Sequence, residues 1–217
     1  KTQKTFTSDV SHELKTPLAI MKGYLDILKW GKEDEKLLNE AIENMDLEIK
    51  NIERIINTLF LSSNLEKITI KKEIINVKQL FEKIKKDYEL LNIERKIIIT
   101  ADKKINIFAD KNLISEVLRG LIDNSIKYSI GNIELIAKES EMAKIIVRNY
   151  GEGIPEEEKK KLFNRNFQGK NAKKGAGLGL SIMKDIILLN DGEIYIENRS
   201  DGVDVKIQFK KINFKNK

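Results

Sequence analysis

The chain has a single histidine in 217 residues, His12, in the stretch TSDVSHELKTPL. A neutral imidazole is a nucleophile near pH 7. The side chain of Glu13 is long enough to reach back and accept the ring N–H, which raises the nucleophilicity of the other ring nitrogen. Thr16 follows by one helical turn and shares the face of His12. The pattern indicates nucleophilic chemistry at His12, although a lone histidine on a helix is more often a plain surface or core residue.

A second group of candidate residues lies in LRGLIDNSIKYS, residues 118–129, which has the pattern of a helix. Asn124 offers a neutral oxygen of the kind that Mg²⁺ binds. Lys127 shares its face and can meet a phosphate, and Tyr128 follows. Taken alone this is a weak signal, because an asparagine and a lysine on a helix are usually only solvated.

Two glycine-rich stretches suit a bound nucleotide. In NYGEGIP, residues 149–155, Gly151 and Gly153 permit a tight turn and a close approach of the backbone to a flat ligand. In KKGAGLGLS, residues 173–181, alternating glycines open a helix and expose backbone N–H groups that favour phosphate. No GK[ST] follows, which excludes a Walker motif, and the glycine spacing does not match GxGxxG. Each stretch alone is more typical of an ordinary turn or helix cap.

The elements that position these residues differ between the two halves of the chain. Apolar residues at spacings of three and four predict helices over 2–29 and 35–66, separated by WGKED. Two such helices joined by a short turn form a hairpin that leaves one face of each apolar stripe in water. Pairing two hairpins into a four-helix bundle buries both faces, so we expect a homodimer through residues 1–66.

The second half has the pattern of an α+β layer, with a mixed sheet on one side and helices on the other. Residues 68–74 have the pattern of a strand or an extended linker, and 164–176 that of a Gly/Lys-rich loop. We expect helices over 77–92, 111–128 and 178–190, and strands over 96–100, 106–109, 132–139, 143–150, 192–199 and 203–209. The predicted division is a helical domain at 1–66, a linker at 67–76 and a second domain at 77–217.

Composition excludes several other functions. Without cysteine there are no disulfides or thiolate metal sites, and one histidine excludes most zinc and iron sites. Lysine and glutamate are interleaved, and no dense basic block favours nucleic acid despite the net charge of +6. No run of 18 apolar residues occurs. Because the chain starts without methionine inside a helical pattern, we expect it to be a fragment of a longer one.

The order of the motifs is more specific than any one of them. The chain runs from FTSDVSHELKTPL through an Asn-x-x-Lys-Tyr helix and a strand ending in Gly-x-Gly-Ile-Pro. A loop with Phe163 and Phe167 and a helix start with Gly-x-Gly-Leu-Gly-Leu follow. In this order the motifs resemble the catalytic core of sensor histidine kinases, over essentially the whole chain. That core joins a dimerisation and phosphotransfer domain to the ATP-binding domain shared with gyrase and heat-shock ATPases.

The resemblance implies a role for each motif. His12 would accept a phosphoryl group from ATP, Glu13 would assist, and Thr16 would position water for dephosphorylation of the partner. Asn124 would hold Mg²⁺. The nucleotide site as a whole would consist of Asn124, Lys127, Tyr128, Asn149, Gly151, Gly153, Lys170, Gly175, Gly177, Leu178 and Gly179.

The resemblance also implies partners and a location. The phosphoryl group would pass to an aspartate in the receiver domain of a separate response regulator. The kinase would be a homodimer and the cytoplasmic part of a membrane-anchored sensor. This fragment itself would contact neither membrane nor nucleic acid.

Three positions depart from the family pattern. Gly120 stands where the family helix usually carries an asparagine, and Gln168 where many relatives carry an arginine that reaches the γ-phosphate. Arg165 or Lys170 could replace that arginine. Asn149 replaces the aspartate that accepts a hydrogen bond from adenine, which suggests relaxed base selectivity or a preference for GTP over ATP.

Two alternative hypotheses remain beside an active kinase. The three departures also fit a degenerate, nucleotide-poor dimeric scaffold that binds a response regulator without kinase activity. A basic nucleic-acid-binding protein is the third hypothesis, and it has the least support.

Overall fold

The computed structural model describes residues 2–30, 34–64, 69–90, 95–164, 167, 169 and 179–212. Within the first two helices it describes the side chains of residues 14–29, 34–49, 52, 53 and 56. None of the helices in these ranges is both long and apolar enough to pass through a membrane.

The first part of the chain is a helical hairpin. Helix α1 spans Thr2–Trp30 and α2 spans Glu35–Asn64, which confirms the two predicted helices. The carboxylate of Asp34 accepts a hydrogen bond from the Leu37 N–H at 3.0 Å, so a first-turn amide of α2 has a partner. The two helices pack along each other, and the small side chain of Ala41 is buried there.

An apolar stripe on this hairpin stays exposed within the described residues. Leu18 and Leu25 on α1 and Ile42, Ile49 and Ile56 on α2 are each 42–55% exposed. On each helix they repeat every seven residues, which keeps them on one seam, as in a coiled coil. Such a seam is what a hairpin needs to pair with a second hairpin.

The second part contains, among the described residues, four helices and seven strands. The helices are α3 (Val77–Glu89), α4 (Lys111–Tyr128), α5 (Glu156–Lys159) and α6 (Gly179–Leu189). The strands are β1 (Lys72–Asn76), β2 (Ile97–Ala101), β3 (Asn106–Asp110), β4 (Ile130–Glu139), β5 (Met142–Tyr150), β6 (Gly192–Arg199) and β7 (Gly202–Lys210). These bounds agree with the predicted elements to within a few residues, and only the short α5 was not predicted.

The strands form two sheets, where the sequence predicted one mixed sheet. The main sheet has the order β2-β4-β5-β7-β6, with β2 parallel to β4 and the other neighbours antiparallel. Strands β1 and β3 pair only with each other. Asp110 holds this pair to the start of α4. Its carboxylate accepts the N–H of Lys71 at 2.9 Å and the N–H groups of Asn112 and Leu113.

Helices α3, α4 and α6 cover one face of the main sheet, which confirms the predicted layer. Alternate strand residues point into this core, among them Ile133, Leu135, Ile145, Val147, Ile207 and Phe209. The opposite face carries mainly charged and polar side chains. Among these helices, α4 packs against both β4 and β5.

Candidate functional site

The C-terminal half of α4 carries the predicted asparagine, lysine and tyrosine. Asn124 and Lys127 are half-buried, and Tyr128 is 47% exposed. The ammonium of Lys127 lies 5.0 Å from the centre of the Tyr128 ring, within the range of a cation–π contact. An amide, a cation and an aromatic ring are thus grouped at this end of the helix.

The glycine turn after β5 lies against the same end of α4. Gly151 has a φ of +142°, which side chains with a Cβ rarely adopt. A Cβ on Gly151 would lie 3.8 Å from the Cα of Ser129 and from the nitrogen of Ile130, the residues that follow α4. Ser129 and Gly151, which the sequence places 22 positions apart, are therefore neighbours in the fold.

Asn149 lies on the helix-covered face of the sheet. It shares that face of β5 with Ile145 and Val147 and is half-buried. Val203 on β7 stands opposite it, and Asn198 on β6 stands opposite Val203. These three side chains form a row across three strands, on the side of the sheet that α4 covers.

Gly202 permits the close approach of β7 to Asn149. A Cβ on Gly202 would overlap the backbone oxygen of Asn149 and lie 2.8 Å from the Cα of Tyr150. Both of these atoms belong to the backbone and cannot move aside alone. The position of Asn149 thus depends on a glycine in the neighbouring strand.

Asn198 holds the backbone that follows the glycine turn. Its side-chain oxygen accepts the N–H of Ile154 at 2.9 Å, and its side-chain nitrogen donates to the Ile154 carbonyl at 2.7 Å. Sequence analysis missed this residue, because a single asparagine in a predicted strand carries no pattern that indicates a partner 44 residues away.

The opposite face of the sheet supports the same turn. The hydroxyl of Tyr150 donates to the Glu134 carboxylate, and the Arg199 guanidinium lies 5.2 Å from the Tyr150 ring centre. The hydrogen bond to Glu134 is the main cause that raises the pKa of Tyr150 above its usual value, so the hydroxyl remains a donor. On the neighbouring residue, the Gly151 N–H donates to the Asp201 carbonyl at 3.1 Å.

Asp204 is the buried centre of the charges on that face. Arg148 binds its carboxylate with two hydrogen bonds, of 2.8 and 3.0 Å, and Arg199 approaches it at 3.4 Å. Burial by itself raises the pKa of Asp204, but the two arginines outweigh it and hold the pKa below its usual value. The carboxylate therefore stays charged and links β5, β6 and β7.

The phenylalanine loop is tied to α6 and α5. The ammonium of Lys184 on α6 lies 5.9 Å from the centre of the Phe163 ring. Glu158 on α5 is buried. A Cβ on Gly169 would lie only 2.5 Å from a carboxylate oxygen of Glu158. The sequence did not single out Glu158 or Lys184.

Several predicted site residues lie outside the described part of the chain. They are Arg165, Gln168, Lys170, Gly175, Gly177 and Leu178. Gly179 is described and is the first residue of α6. His12 and Glu13 lie within α1, but their side chains are outside the described ones, whereas Thr16 is exposed one turn later.

The described residues fit a magnesium ion that is held mainly by phosphates. No group of three histidine, cysteine or acidic side chains that could hold a metal ion occurs in the described ranges. Mg²⁺ in nucleotide sites is usually bound by one or two protein oxygens together with phosphates and water. The half-buried amide of Asn124 can supply one such oxygen.

A groove of about 870 Å³ lies elsewhere, between α3 and β2. Its lining includes Lys78, Tyr88 and Arg95 and none of the predicted site residues. Arg95 connects this groove to the end of α4, because its guanidinium donates to the Ser125 carbonyl at 2.9 Å.

The fold and the site define a class of protein: a helical hairpin followed by an α+β domain whose asparagine helix and glycine turn suit a nucleotide. Two family models match the chain. The His Kinase A (phospho-acceptor) domain matches residues 2–67, and the histidine kinase-, DNA gyrase B- and HSP90-like ATPase matches residues 109–213. The chain belongs to the two-component histidine kinases and is a catalytic core of that family.

Individual relatives agree with this assignment. The sensor histidine kinase YkoH of Bacillus subtilis (strain 168) is 33% identical over 97% of this chain. That match covers 48% of YkoH, so the chain spans about half the length of the curated relatives it matches. The histidine kinase AdeS of Acinetobacter baumannii is 27% identical, with a TM-score of 0.67 over 93% of this chain and 98% of AdeS. ThkA, solved in complex with the response regulator protein TrrA, has the same fold, at 24% identity and a TM-score of 0.66 over 95% of this chain and 61% of ThkA.

Proposed function

We propose that this chain transfers the γ-phosphoryl group of ATP to His12. The observation that carries the proposal is that the glycine turn after β5 lies against the end of α4, the helix that carries Asn124 and Lys127. Residues 2–67, which include His12, match a phospho-acceptor domain. The division into a helical domain at 1–66, a linker at 67–76 and a nucleotide-binding domain at 77–217 is part of this proposal.

The chemistry follows from the residue types. A ring nitrogen of His12 attacks the γ-phosphorus, the bond from that phosphorus to the bridging oxygen breaks, and ADP leaves. Glu13 accepts the proton from the other ring nitrogen. Asn124 would offer an amide oxygen to Mg²⁺, which when bound would neutralise charge on the phosphates.

The remaining site residues bind the nucleotide in this proposal. Lys127 offers the phosphates a positive charge, and Tyr128 lies beside it. Gly151 and Gly153 leave space for the base against the backbone. Lys170, Gly175, Gly177, Leu178 and Gly179 provide the segment that closes over the phosphates.

A response regulator is the proposed acceptor of the phosphoryl group. The complex of ThkA with TrrA supports this class of partner. The phosphoryl group passes from His12 to an aspartate of the regulator, and Thr16 positions water when the regulator is dephosphorylated. The exposed seam on α1 and α2 supports a homodimer. We further propose that the chain is the cytoplasmic part of a membrane-anchored sensor.

Autophosphorylation with γ-labelled ATP and Mg²⁺ tests the kinase activity. We expect acid-labile label in the parent, none in the His12→Gln variant and much less in the Asn124→Ala variant. Asn112→Ala is the matched control, since Asn112 is exposed at the other end of α4 and should leave labelling unchanged. Absence of label together with absence of ATP binding would instead favour the scaffold function.

We also infer that Asn149 relaxes the choice of base. With its oxygen toward the base, an amide accepts from the adenine amino group, more weakly than a carboxylate does because the bond loses its charge. With its nitrogen toward the base, it donates to the carbonyl oxygen of guanine, which an aspartate repels.

Side-by-side titration with ATP and GTP tests this inference. We expect the Asn149→Asp variant to favour ATP over GTP by about tenfold more than the parent does, since a charged hydrogen bond is about twice as strong as a neutral one. An unchanged ratio of the two affinities in the variant would show that Asn149 does not read the base.

A further inference from the structure

We propose that Asn198 is a positioning residue for the nucleotide site, one that fixes the backbone of the glycine turn. The proposal rests on the nucleotide-binding function argued above. It adds a residue that lies outside every motif in the sequence and belongs to a different strand from Asn149.

The side chain of Asn198 pairs with a backbone segment as a neighbouring strand does. It accepts from the N–H and donates to the carbonyl of the same residue, Ile154, at 2.9 and 2.7 Å. Residues 152–155 belong to no helix or strand, so these bonds replace ladder bonds that the segment does not have. Asn198 is exposed, and core packing therefore does not impose this contact.

The turn is tied to the β6–β7 hairpin at both of its ends. The N–H of Gly151 donates to the carbonyl of Asp201, and the backbone of Ile154 is held by Asn198. Only Glu152 and Gly153 lie between the two ties. A Cβ added to Gly153 would lie 3.2 Å from the amide carbon of Asn198. Gly153 therefore packs closely against the side chain that holds the turn.

The position of Asn198 connects the tie to the base-binding side of the site. Asn149, Val203 and Asn198 form one row on the helix-covered face. A turn that is held over this row presents Gly151 and Gly153 to a base that contacts Asn149. Without the tie, binding must order the turn, and that conformational entropy subtracts from the affinity.

Only some side chains can make both bonds. An ionised aspartate is isosteric with asparagine but can only accept, and its charge faces the Ile154 carbonyl oxygen. A protonated aspartic acid can both accept and donate. Asn198→Asp should therefore lose the tie at neutral pH and regain it at low pH, whereas Asn198→Ala loses it at every pH.

Equilibrium binding of ATP with Mg²⁺ tests the proposal, using the parent, both variants and Asn112→Ala as the control. We expect Asn198→Ala to stay folded and to raise the Kd for ATP by about 5- to 10-fold, since the turn loses two hydrogen bonds and binding must order it. Asn198→Asp should also bind ATP weakly at neutral pH, because its ionised carboxylate cannot donate to the Ile154 carbonyl. Phosphoryl transfer from protein already labelled on His12 to a receiver domain should not change.

A Kd for Asn198→Ala within twofold of the parent's would overturn the proposal. If that variant fails to fold, Asn198→Asp at neutral pH decides, and a Kd within twofold of the parent's would overturn the proposal. ATP binding by the parent distinguishes a failure of this inference from a failure of the proposed function. A parent that binds no ATP overturns the proposed function, and this inference with it.

Discussion

Gly120 of α4 and Met183 of α6 meet so closely that a Cβ on Gly120 would overlap the terminal methyl group of Met183. Both residues are buried. The contact joins the helix that carries Asn124 to the helix that begins at Gly179. It also gives a packing reason for a glycine where the family pattern has an asparagine, since that larger side chain would displace Met183.

A double-mutant cycle tests this contact. Gly120→Ala removes a helix penalty of about 1 kcal/mol, but in the parent it also forces Met183 aside. We expect it to raise the free energy of unfolding by about 1 kcal/mol in a Met183→Ala background and by clearly less in the parent. Chemical denaturation of the four proteins measures both effects, and equal gains in the two backgrounds would show that the residues do not interact.

The buried Asp204 should contribute to acid sensitivity. Because its pKa is lower in the folded state than in the unfolded one, its charged form stabilises the fold above the unfolded pKa of about 3.9. That contribution is lost as the pH falls from there through the folded value. We expect Asp204→Asn to cost about 1.5–3 kcal/mol at neutral pH, where Arg148 loses its charged partner.

Thermal denaturation between neutral pH and about pH 3 measures this dependence. The variant should lose less stability than the parent over the acidic part of the range. Parallel curves for the two proteins would mean that Asp204 titrates alike in the folded and unfolded states.

Much of this architecture could be predicted from the sequence, because local patterns determine helices and strands. The apolar spacing gave α1 and α2 nearly to the residue, and turn residues marked the hairpins of the main sheet. Strand pairing, by contrast, depends on contacts between residues that are distant in the sequence. The separation of β1 and β3 from the main sheet depends on pairing between residues 30 to 38 positions apart, and no local pattern carries that information.

The site was only partly predictable for the same reason. Asn124, Gly151 and Gly153 stand in recognisable motifs, and the fold brings the glycine turn to the end of α4. The residues that brace the turn, such as Asn198 and Arg199, make contacts with distant parts of the chain. Their types are common on any strand, so only the structure reveals their partners.

Gly202 should be intolerant of a side chain. A Cβ there would overlap backbone atoms of β5, so we expect Gly202→Ala to lower the free energy of unfolding by about 2 kcal/mol and to weaken ATP binding by displacing Asn149. Gly23→Ala is the matched control, because a Cβ at Gly23 meets no atom within 4 Å. Denaturation and ATP titration of both variants check this, and similar stabilities for the two would contradict the close approach.

The exposed seam of the hairpin should hold the dimer together. Ile49 lies in the middle of the seven-residue repeat on α2 and is 43% exposed, so a charge there should dissociate the protein. We expect Ile49→Glu to be monomeric by light scattering at concentrations where the parent is dimeric. Asn39→Glu adds the same charge at an exposed polar position and should remain dimeric. A dimeric Ile49→Glu would place the interface elsewhere.

The most direct test of the central claim is to locate the phosphate on the chain. The parent is incubated with ATP and Mg²⁺, digested at neutral pH to preserve acid-labile bonds, and the peptide that contains residues 7–18 is fragmented by tandem mass spectrometry. A catalytic core that uses His12 as its acceptor predicts a single phosphoryl group on the imidazole. An unmodified peptide, or a phosphate on Ser8, Ser11 or Thr16, would contradict it.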